Sequence, residues 1–354
     1  MLKKCLNKKR TSSQDESTFE LYLSSSPSKK LIKDPSNNLK LISNDSNNEN
    51  ISKKKKSNLK QFEEEVSKLN FSPIGSSANI PGNYDNYLGA TLSHIVQMKD
   101  INFDYALESP LIYKYFPQKI LEHIAKSNKK ILILDLDETL IHADFGEEFS
   151  KDENIKYDAK ISFYSDENCS KRISNLGEDD DESIITDDES KDYSNRKVLN
   201  TVGIFLRPGI KNFLEEVSQK FEVGIFTASV PEYADAVINF LDPEKKLIKF
   251  RLYRNNCINV GDLLHVKNLN IIKNIPLEKI ILVDNNMYSF TAQLNNGILI
   301  NSFYNDKNDN ELSNVLNYLN NYIIPADNVK EVNEKFFGFK KIVDDITNNA
   351  FNEQ

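Results

Sequence analysis

An α/β chain with a central parallel sheet flanked by helices is predicted by three observations. Short continuous apolar runs, such as Ile131–Leu134, end directly in a carboxylate, here Asp135. Runs of that kind read as strands buried on both faces. Segments with helical apolar spacing separate the later runs, an alternation that favours parallel strands joined by right-handed crossovers. Finally, polar residues collect where the runs stop, and ligands of open α/β sheets sit at the carboxyl ends of strands. A carboxylate at the end of an apolar strand costs free energy unless something binds it. Asp135 is therefore placed like a nucleophile or metal ligand, with Asp137 as its neighbour in the same chemistry.

Taken in order, residues 1 to about 80 are rich in Ser, Asn and Lys and lack sustained apolar patterns, which predicts a disordered tail. Residues 1–60 carry 14 Lys/Arg against 6 Asp/Glu, although the whole 354-residue chain has a formal net charge of -8. Lys53–Lys56 reads as a solvated basic cluster, or as a nuclear-import or anionic-partner patch. Cys5 among lysines is a weak acylation pattern. Residues 81–128, with several tyrosines, read as an N-terminal extension packed on the domain. Within it, Pro117 precedes QKILEHIAK, a short helix with Ile120, Leu121 and Ile124 on one side.

The main globular region, residues 129–325, begins with KILILDLDETLIH. Gly146 to about Arg196 then breaks the pattern. It is acidic, Ser-rich and poor in apolar periodicity, and residues 178–189 hold eight acids and no base. The composition predicts a disordered insertion across 146–198 with no large folded cap. A second reading makes it an acidic pseudo-substrate for a cationic site, with Ser183 and Thr186 as phosphorylation candidates. Thr201–Gly209 reads as a strand ending at Arg207-Pro208, and 210–219 as a helix with Ile210, Phe213, Leu214 and Val217 on one face. Phe221–Ser229 is a strand ending in Thr227, Ala228 and Ser229. A helix over 231–241 starts with Pro231 and stops at Asp242-Pro243. Leu277–Asn286 is an apolar run ending in Asp284 and Asn285. Tyr288–Leu294 reads as a helix closed by Asn296-Gly297, Ile298–Ile300 as a last short strand, and Asp309–Ile323 as an amphipathic helix. Residues 326–354 form a C-terminal tail or helix.

Bulk properties narrow the class. Hydrophobic residues make up 39% and charged residues 28%, with a mean hydropathy of -0.52, so a modest core is diluted by polar segments. Cys5, Cys169 and Cys257 are scattered, and the four histidines lie far apart, which points to a reducing compartment and no zinc site. No apolar run reaches transmembrane length, and Met1–Arg10 lacks the apolar core of a secretory signal.

DLDETL, Asp135–Leu140, resembles the Asp-x-Asp-x-Thr motif of the haloacid-dehalogenase superfamily. More narrowly, about Lys129–Tyr322 resembles the small C-terminal-domain phosphatases, the NLI-interacting-factor-like family, and the small phosphatase-like 2 branch within it. Later blocks around Thr227, Lys267 and Asp284-Asn285 recur in the family's order. The resemblance implies a Rossmann-like fold and a Mg²⁺-dependent protein serine/threonine phosphatase. Asp135 would attack phosphorus to form an aspartyl-phosphate, and Asp137 would protonate the leaving oxygen and then deprotonate water. Thr227 would bond a phosphoryl oxygen and Lys267 would supply fixed positive charge. The Asp135 carboxylate, the Asp137 carbonyl and the Asn285 side-chain oxygen would hold Mg²⁺, with Asp284 orienting the metal shell or Lys267. The implied partner is a phosphorylated protein such as the repetitive tail of RNA polymerase II, in the nucleus or cytoplasm, with no direct nucleic-acid contact.

The chain departs from that family in places. Asp284-Asn285-Asn286-Met287 stands where the family often has Asp-Asn-Ser-Pro, Gly261–Val266 is an altered approach to Lys267, Val260 replaces an arginine, and Phe303 stands for a tryptophan. Arg207, Arg251 and Arg254 read as surface or structural pairs, with phosphate binding as the alternative. His142, His265 and Ser229 read as structural neighbours. A catalytically silent phosphoprotein-binding module and a small-molecule phosphatase are the rival functions.

Overall fold

The computed structural model describes residues 91–92, 94–108, 118–145, 155–166, 197–260 and 264–352, together with Lys54, Ser57, Lys60 and Gln61. The rest of the basic tail, the stretch 178–190 with Ser183 and Thr186, Cys5, and the approach residues 261–263 lie outside the described residues.

Ten strands appear among them. β1 is Lys130–Leu134, β2 Ile141–Asp144, β3 Ala159–Asp166, β4 Lys197–Leu206, β5 Phe221–Phe226, β6 Ile248–Leu252, β7 Ile258–Val260, β8 Leu264–Val266, β9 Ile280–Asp284 and β10 Gly297–Leu299. Five make the central sheet in the order β10-β9-β1-β5-β6, and every pairing in it is parallel. β1 lies in the middle, with earlier and later connections leaving on opposite sides, so the sheet switches direction there. Leu134 pairs with both Ile225 and Val283, which brings the ends of β1, β5 and β9 to one level.

Both faces of this sheet are covered, which explains the unbroken apolar runs. Leu132, Leu134, Val223, Ile225, Ile281 and Val283 face one core. Helices α2 (Ile210–Lys220), α3 (Pro231–Leu241) and α4 (Glu311–Tyr318) contribute to it. Ile131, Ile133, Phe226, Phe250, Ile280 and Leu282 face the other, which is closed by Leu92, Ile95, Met98, Phe103, Leu107 and Ile124. Ile124 lies on α1, Gln118–Lys126. No described helix is long and apolar enough to cross a membrane.

Three local expectations are corrected. The 146–198 stretch, read as a disordered insertion, contains β3, which pairs antiparallel with β4 along its full length. Ile161, Phe163 and Ser165 are buried while Lys160, Ser162 and Tyr164 are exposed. A half-buried strand with two large apolar residues is swamped when the whole of 146–196, mostly acidic and polar, is read together. The Thr201–Gly209 segment belongs not to the parallel sheet but to this separate sheet, of order β2-β4-β3, and pairing with β3 extends it back to Lys197.

The third correction concerns Met287–Asn296, which forms 3-10 turns with non-helical Phe290 and Gln293 rather than an α-helix. Gly297 is extended there (φ -83), not left-handed. Glycine is needed for space: a Cβ would lie 2.2 Å from the Phe290 ring. Gly297→Ala is expected to lower stability by about 1–3 kcal/mol through overpacking, read as the midpoint shift in urea. The predicted 309–323 helix is α4 followed by a wide π-type turn over Leu319–Ile323. The C-terminal segment contains α5 (Val329–Phe337) and α6 (Phe339–Asn352).

Candidate active site

The sheet topology gathers the predicted residues at one edge. Asp135 directly follows β1, and its N–H donates to the Val283 carbonyl of β9 at 2.9 Å. Thr227 follows β5 and donates its N–H to Leu252 of β6 at 3.0 Å. Asp284 ends β9, and Lys267 follows the β7–β8 hairpin. Between β1 and β2 the chain doubles back: Leu140 and Ile141 N–H groups both bond the Leu136 carbonyl. Glu138 adopts φ 56 in this turn, a left-handed conformation uncommon outside glycine. Asp135 and Asp137 are thereby fixed near the sheet edge rather than carried away along a helix.

Lys267 is the electrostatic centre. Its Nζ lies 2.6 Å from Asp135 Oδ1 and 2.6 Å from Asp284 Oδ2, and all three residues are buried. Burial alone would lower the ammonium pKa. The attraction of Asp135 and Asp284 overcomes it, so Lys267 is held protonated above its ordinary range. Burial pushes the Asp284 carboxyl up, with Lys267 pulling against it. Two carboxylates around one ammonium leave excess negative charge when both are ionised.

Thr139 joins two further oxygens. Its hydroxyl lies 3.2 Å from Asp135 Oδ2 and 3.3 Å from Asn285 Oδ1, and it accepts the Asn285 N–H at 3.2 Å. The Asn285 amide nitrogen donates to Ser302 Oγ at 3.0 Å, which leaves the amide oxygen facing the Thr139 hydroxyl. One hydroxyl proton cannot fully satisfy two acceptors. Spare lone pairs of Asp135 and Asn285 therefore converge on the same small region.

Asp137 lies beside Thr227. Thr227 Oγ1 is 3.5 Å from Asp137 Oδ2, Ser229 Oγ donates to the same oxygen at 2.6 Å, and the Tyr233 phenol donates to Oδ1 at 2.5 Å. Burial pushes the Asp137 carboxyl up to about 7, with Glu138 adding and the Ser229 and Tyr233 hydrogen bonds opposing. The pair Asp135 and Asp137 thus sits in two different environments, one bonded to an ammonium and the other to hydroxyls.

The structure brings Asp135, Asp284 and Lys267 into direct contact, Asp135 and Asn285 onto one hydroxyl, and Asp137 and Thr227 together. The arginines divide. Arg207 is fully buried, donating to both oxygens of Asp309 at 2.8 and 2.7 Å and to the carbonyls of Thr139 and Asn301 at 2.9 and 2.7 Å. It is a structural strut beneath the Asp135 turn, and Phe303 packs against its guanidinium. Arg251 pairs with Asp235. Arg254 is exposed and donates to the Ala228 carbonyl at 2.6 Å. His142 sits between Glu138 and Asp144, and His265 bonds Asn259.

Ser229, read as a bystander, touches Asp137. Tyr233, within the helix predicted over 231–241, has no role in the sequence reading and reaches Asp137 from α3. Asp104 of the N-terminal extension accepts from the side chains of Asn268 and Asn270 at 2.9 and 2.8 Å, anchoring the segment after Lys267.

Comparison with known proteins identifies the family. Residues 130–330 match the family model described as NLI interacting factor-like phosphatase. Phosphatase PSR1 of Saccharomyces cerevisiae is 35% identical over 189 residues, 53% of this chain and 35% of that protein. CTD small phosphatase-like protein 2 of Dictyostelium discoideum is 39% identical over 130 residues, 37% of this chain and 22% of its own length. This chain therefore spans well under half of either relative. Among solved structures, that of Fcp1, described as an essential RNA polymerase II CTD phosphatase, matches with a TM-score of 0.37 and 20% identity, covering 57% of this chain and 52% of that one. The family match runs from the first residue of β1 into α5 and takes in the whole constellation around Lys267, so this chain belongs to the NLI interacting factor-like phosphatase family.

Proposed function

We propose that this chain is a Mg²⁺-dependent protein serine/threonine phosphatase that works through an aspartyl-phosphate on Asp135. The observation that carries the reading is Lys267 held at 2.6 Å between Asp135 and Asp284 at the ends of adjacent parallel strands. Phosphate-monoester hydrolysis is among the slowest uncatalysed reactions. It needs an aligned nucleophile, charge neutralisation and a proton for the leaving oxygen. Asp135 is the nucleophile, oriented by Lys267 and Thr139. Lys267 faces the charge that develops on the phosphoryl oxygens. Thr227, on the Asp137 side, donates to one of those oxygens. Asp137 gives a proton to the departing serine or threonine oxygen and then takes one from the water that cleaves the acyl phosphate. A carboxyl pushed up to about 7 suits both directions of transfer.

The donor set fits a hard cation. Asp135 Oδ2 and Asn285 Oδ1 converge on one hydroxyl, and the Asp137 carbonyl would supply a third oxygen. Among the described residues no group of three or more His, Cys, Asp or Glu is placed to hold a metal. An oxygen-only partial set of this kind is what Mg²⁺ takes, keeping several waters. When bound, the ion neutralises charge between the attacking carboxylate and the phosphate dianion.

For the substrate, the Dictyostelium relative's name refers to a CTD small phosphatase. We extend that to phosphoserine in the repetitive tail of RNA polymerase II or in another nuclear or cytoplasmic phosphoprotein, read without direct contact to nucleic acid. The test is hydrolysis of 4-nitrophenyl phosphate with Mg²⁺ or with EDTA, by the wild type and by Asp135→Asn. Mg²⁺-dependent turnover that falls to background in the variant is expected. A folded wild type without turnover under several metals would make a phosphoprotein-binding module the better reading.

A further inference from the structure

We propose that the Tyr233 phenol selects which oxygen of Asp137 delivers the proton, which makes Tyr233 a positioning residue; this rests on the phosphatase reading above. The two carboxylate oxygens are not equivalent. Oδ1 is bonded by Tyr233 at 2.5 Å, whereas Oδ2 faces Ser229 at 2.6 Å and Thr227 at 3.5 Å. Thr227 is the group assigned to a phosphoryl oxygen, so Oδ2 lies on the side where the scissile bond would be.

The two hydroxyls also differ in freedom. Tyr233 is buried, and Asp137 Oδ1 is its one hydrogen-bond partner among the described residues. If the phenol turned to accept a proton from Oδ1, its own proton would be buried without an acceptor. It therefore stays a donor, and Oδ1 stays an acceptor. Ser229 is half-buried, and a serine hydroxyl can donate or accept as the partner requires. A proton on Oδ2 is accommodated by a rotation of Ser229, while a proton on Oδ1 is opposed by Tyr233.

The phenol is itself held from outside the central sheet. Tyr233 rises from α3, and its ring lies 5.2 Å from Phe145 and 5.7 Å from Phe163 between ring centres. Phe145 follows β2 and Phe163 belongs to β3. The small antiparallel sheet and the residue after β2 thus hold the phenol through two aromatic contacts.

In the step that forms the acyl phosphate, an Asp135 oxygen bonds phosphorus and the bond from phosphorus to the serine oxygen breaks. Its electron pair stays on that oxygen, which takes the proton from Asp137 Oδ2. Asp137 is left ionised, with Tyr233 still donating to Oδ1 and Ser229 now donating to Oδ2. The proton balance closes without another group.

Tyr233→Phe removes the donor and keeps the ring. Its effect should depend on the leaving group, because a nitrophenolate departs with little proton help and an alkoxide does not. With a phosphoserine peptide, kcat/KM should fall about 10–100-fold, a part of the roughly 10²–10⁴-fold that general acid catalysis supplies, while with 4-nitrophenyl phosphate it should change less than about 3-fold. Across a series of aryl phosphates, log kcat/KM should fall more steeply with leaving-group pKa than in the wild type. Phe163→Leu retains the phenol but loosens its cage, and should give a smaller loss of the same selectivity. It decides the matter if Tyr233→Phe does not fold. Equal losses on both substrates, or an unchanged slope, in a variant that melts like the wild type would overturn the proposal and leave the phosphatase reading intact. No turnover by the wild type on any substrate would overturn both.

Discussion

Lys267→Met is expected to abolish turnover and to destabilise the fold by about 3–5 kcal/mol, the usual cost of removing one partner from a buried ionic cluster. The expectation follows from what remains behind. Asp135 and Asp284 are both buried, and each has its nearest ionic partner, at 2.6 Å, in Lys267. Methionine fills much of the same volume, so the cost is electrostatic rather than a cavity. Two carboxylates would then face one another in a site already short of positive charge. Denaturation in urea gives the stability, and the aryl phosphate assay gives the activity. A methionine variant that unfolds at the wild-type midpoint would show that Lys267 is not the centre of the cluster.

Arg207→Met should rank second, with a loss of about 3–5 kcal/mol for a charged group withdrawn from a buried network. The side chain is wholly buried and ties three places together: Asp309 ahead of α4, the Asn301 carbonyl after β10, and the Thr139 carbonyl in the Asp135 turn. Its loss strands two carbonyls, and it loosens the turn that holds Asp135. Turnover should therefore fall along with stability, although Arg207 touches no reacting atom.

The pH dependence has a definite sign. Burial would raise the Asp309 carboxyl, but bonds from Arg207 and the Glu311 N–H more than reverse it, and the pKa is lowered. A carboxylate depressed in the folded state contributes stability above its unfolded pKa of about 4, and that contribution is lost as the pH falls through the folded value. The gap between wild type and variant should thus be widest at neutral pH and narrower near pH 3, in parallel urea titrations. A gap that does not change with pH would assign the loss to packing alone.

Much of the central sheet was legible because its strands are buried on both sides and announce themselves as apolar runs. Their polar ends were legible for the same reason: Asp135, Thr227 and Asp284 interrupt patterns that are otherwise uniform. Other features had no such contrast. Ile161 and Phe163 make one buried face of β3, but two residues cannot outweigh the acidic composition around them. Arg207-Pro208 looks like a strand leaving the core, and only the tertiary placement of Asp309 reveals an arginine with no exposed surface. Ser229 reaches Asp137 from the loop between β5 and α3, and Tyr233 from the first turn of α3, so Tyr233's role depends on the angle of a helix rather than on spacing. The turns over Met287–Asn296 defeat a helical reading because Phe290 must fill the space that Gly297 leaves open.

The cover over the second face of the sheet sets a boundary that sequence similarity does not. The family match begins at Lys130, yet Leu92, Ile95, Met98, Phe103, Leu107 and Ile124 precede it and close the core over Ile131, Ile133, Phe250 and Leu282. A chain trimmed to the matched residues would carry that face bare into water, an apolar patch of the kind that drives self-association. It would also lose Asp104, and with it the tether on Asn268 beside Lys267. The upstream residues thus complete a core that the family match alone leaves open in this chain.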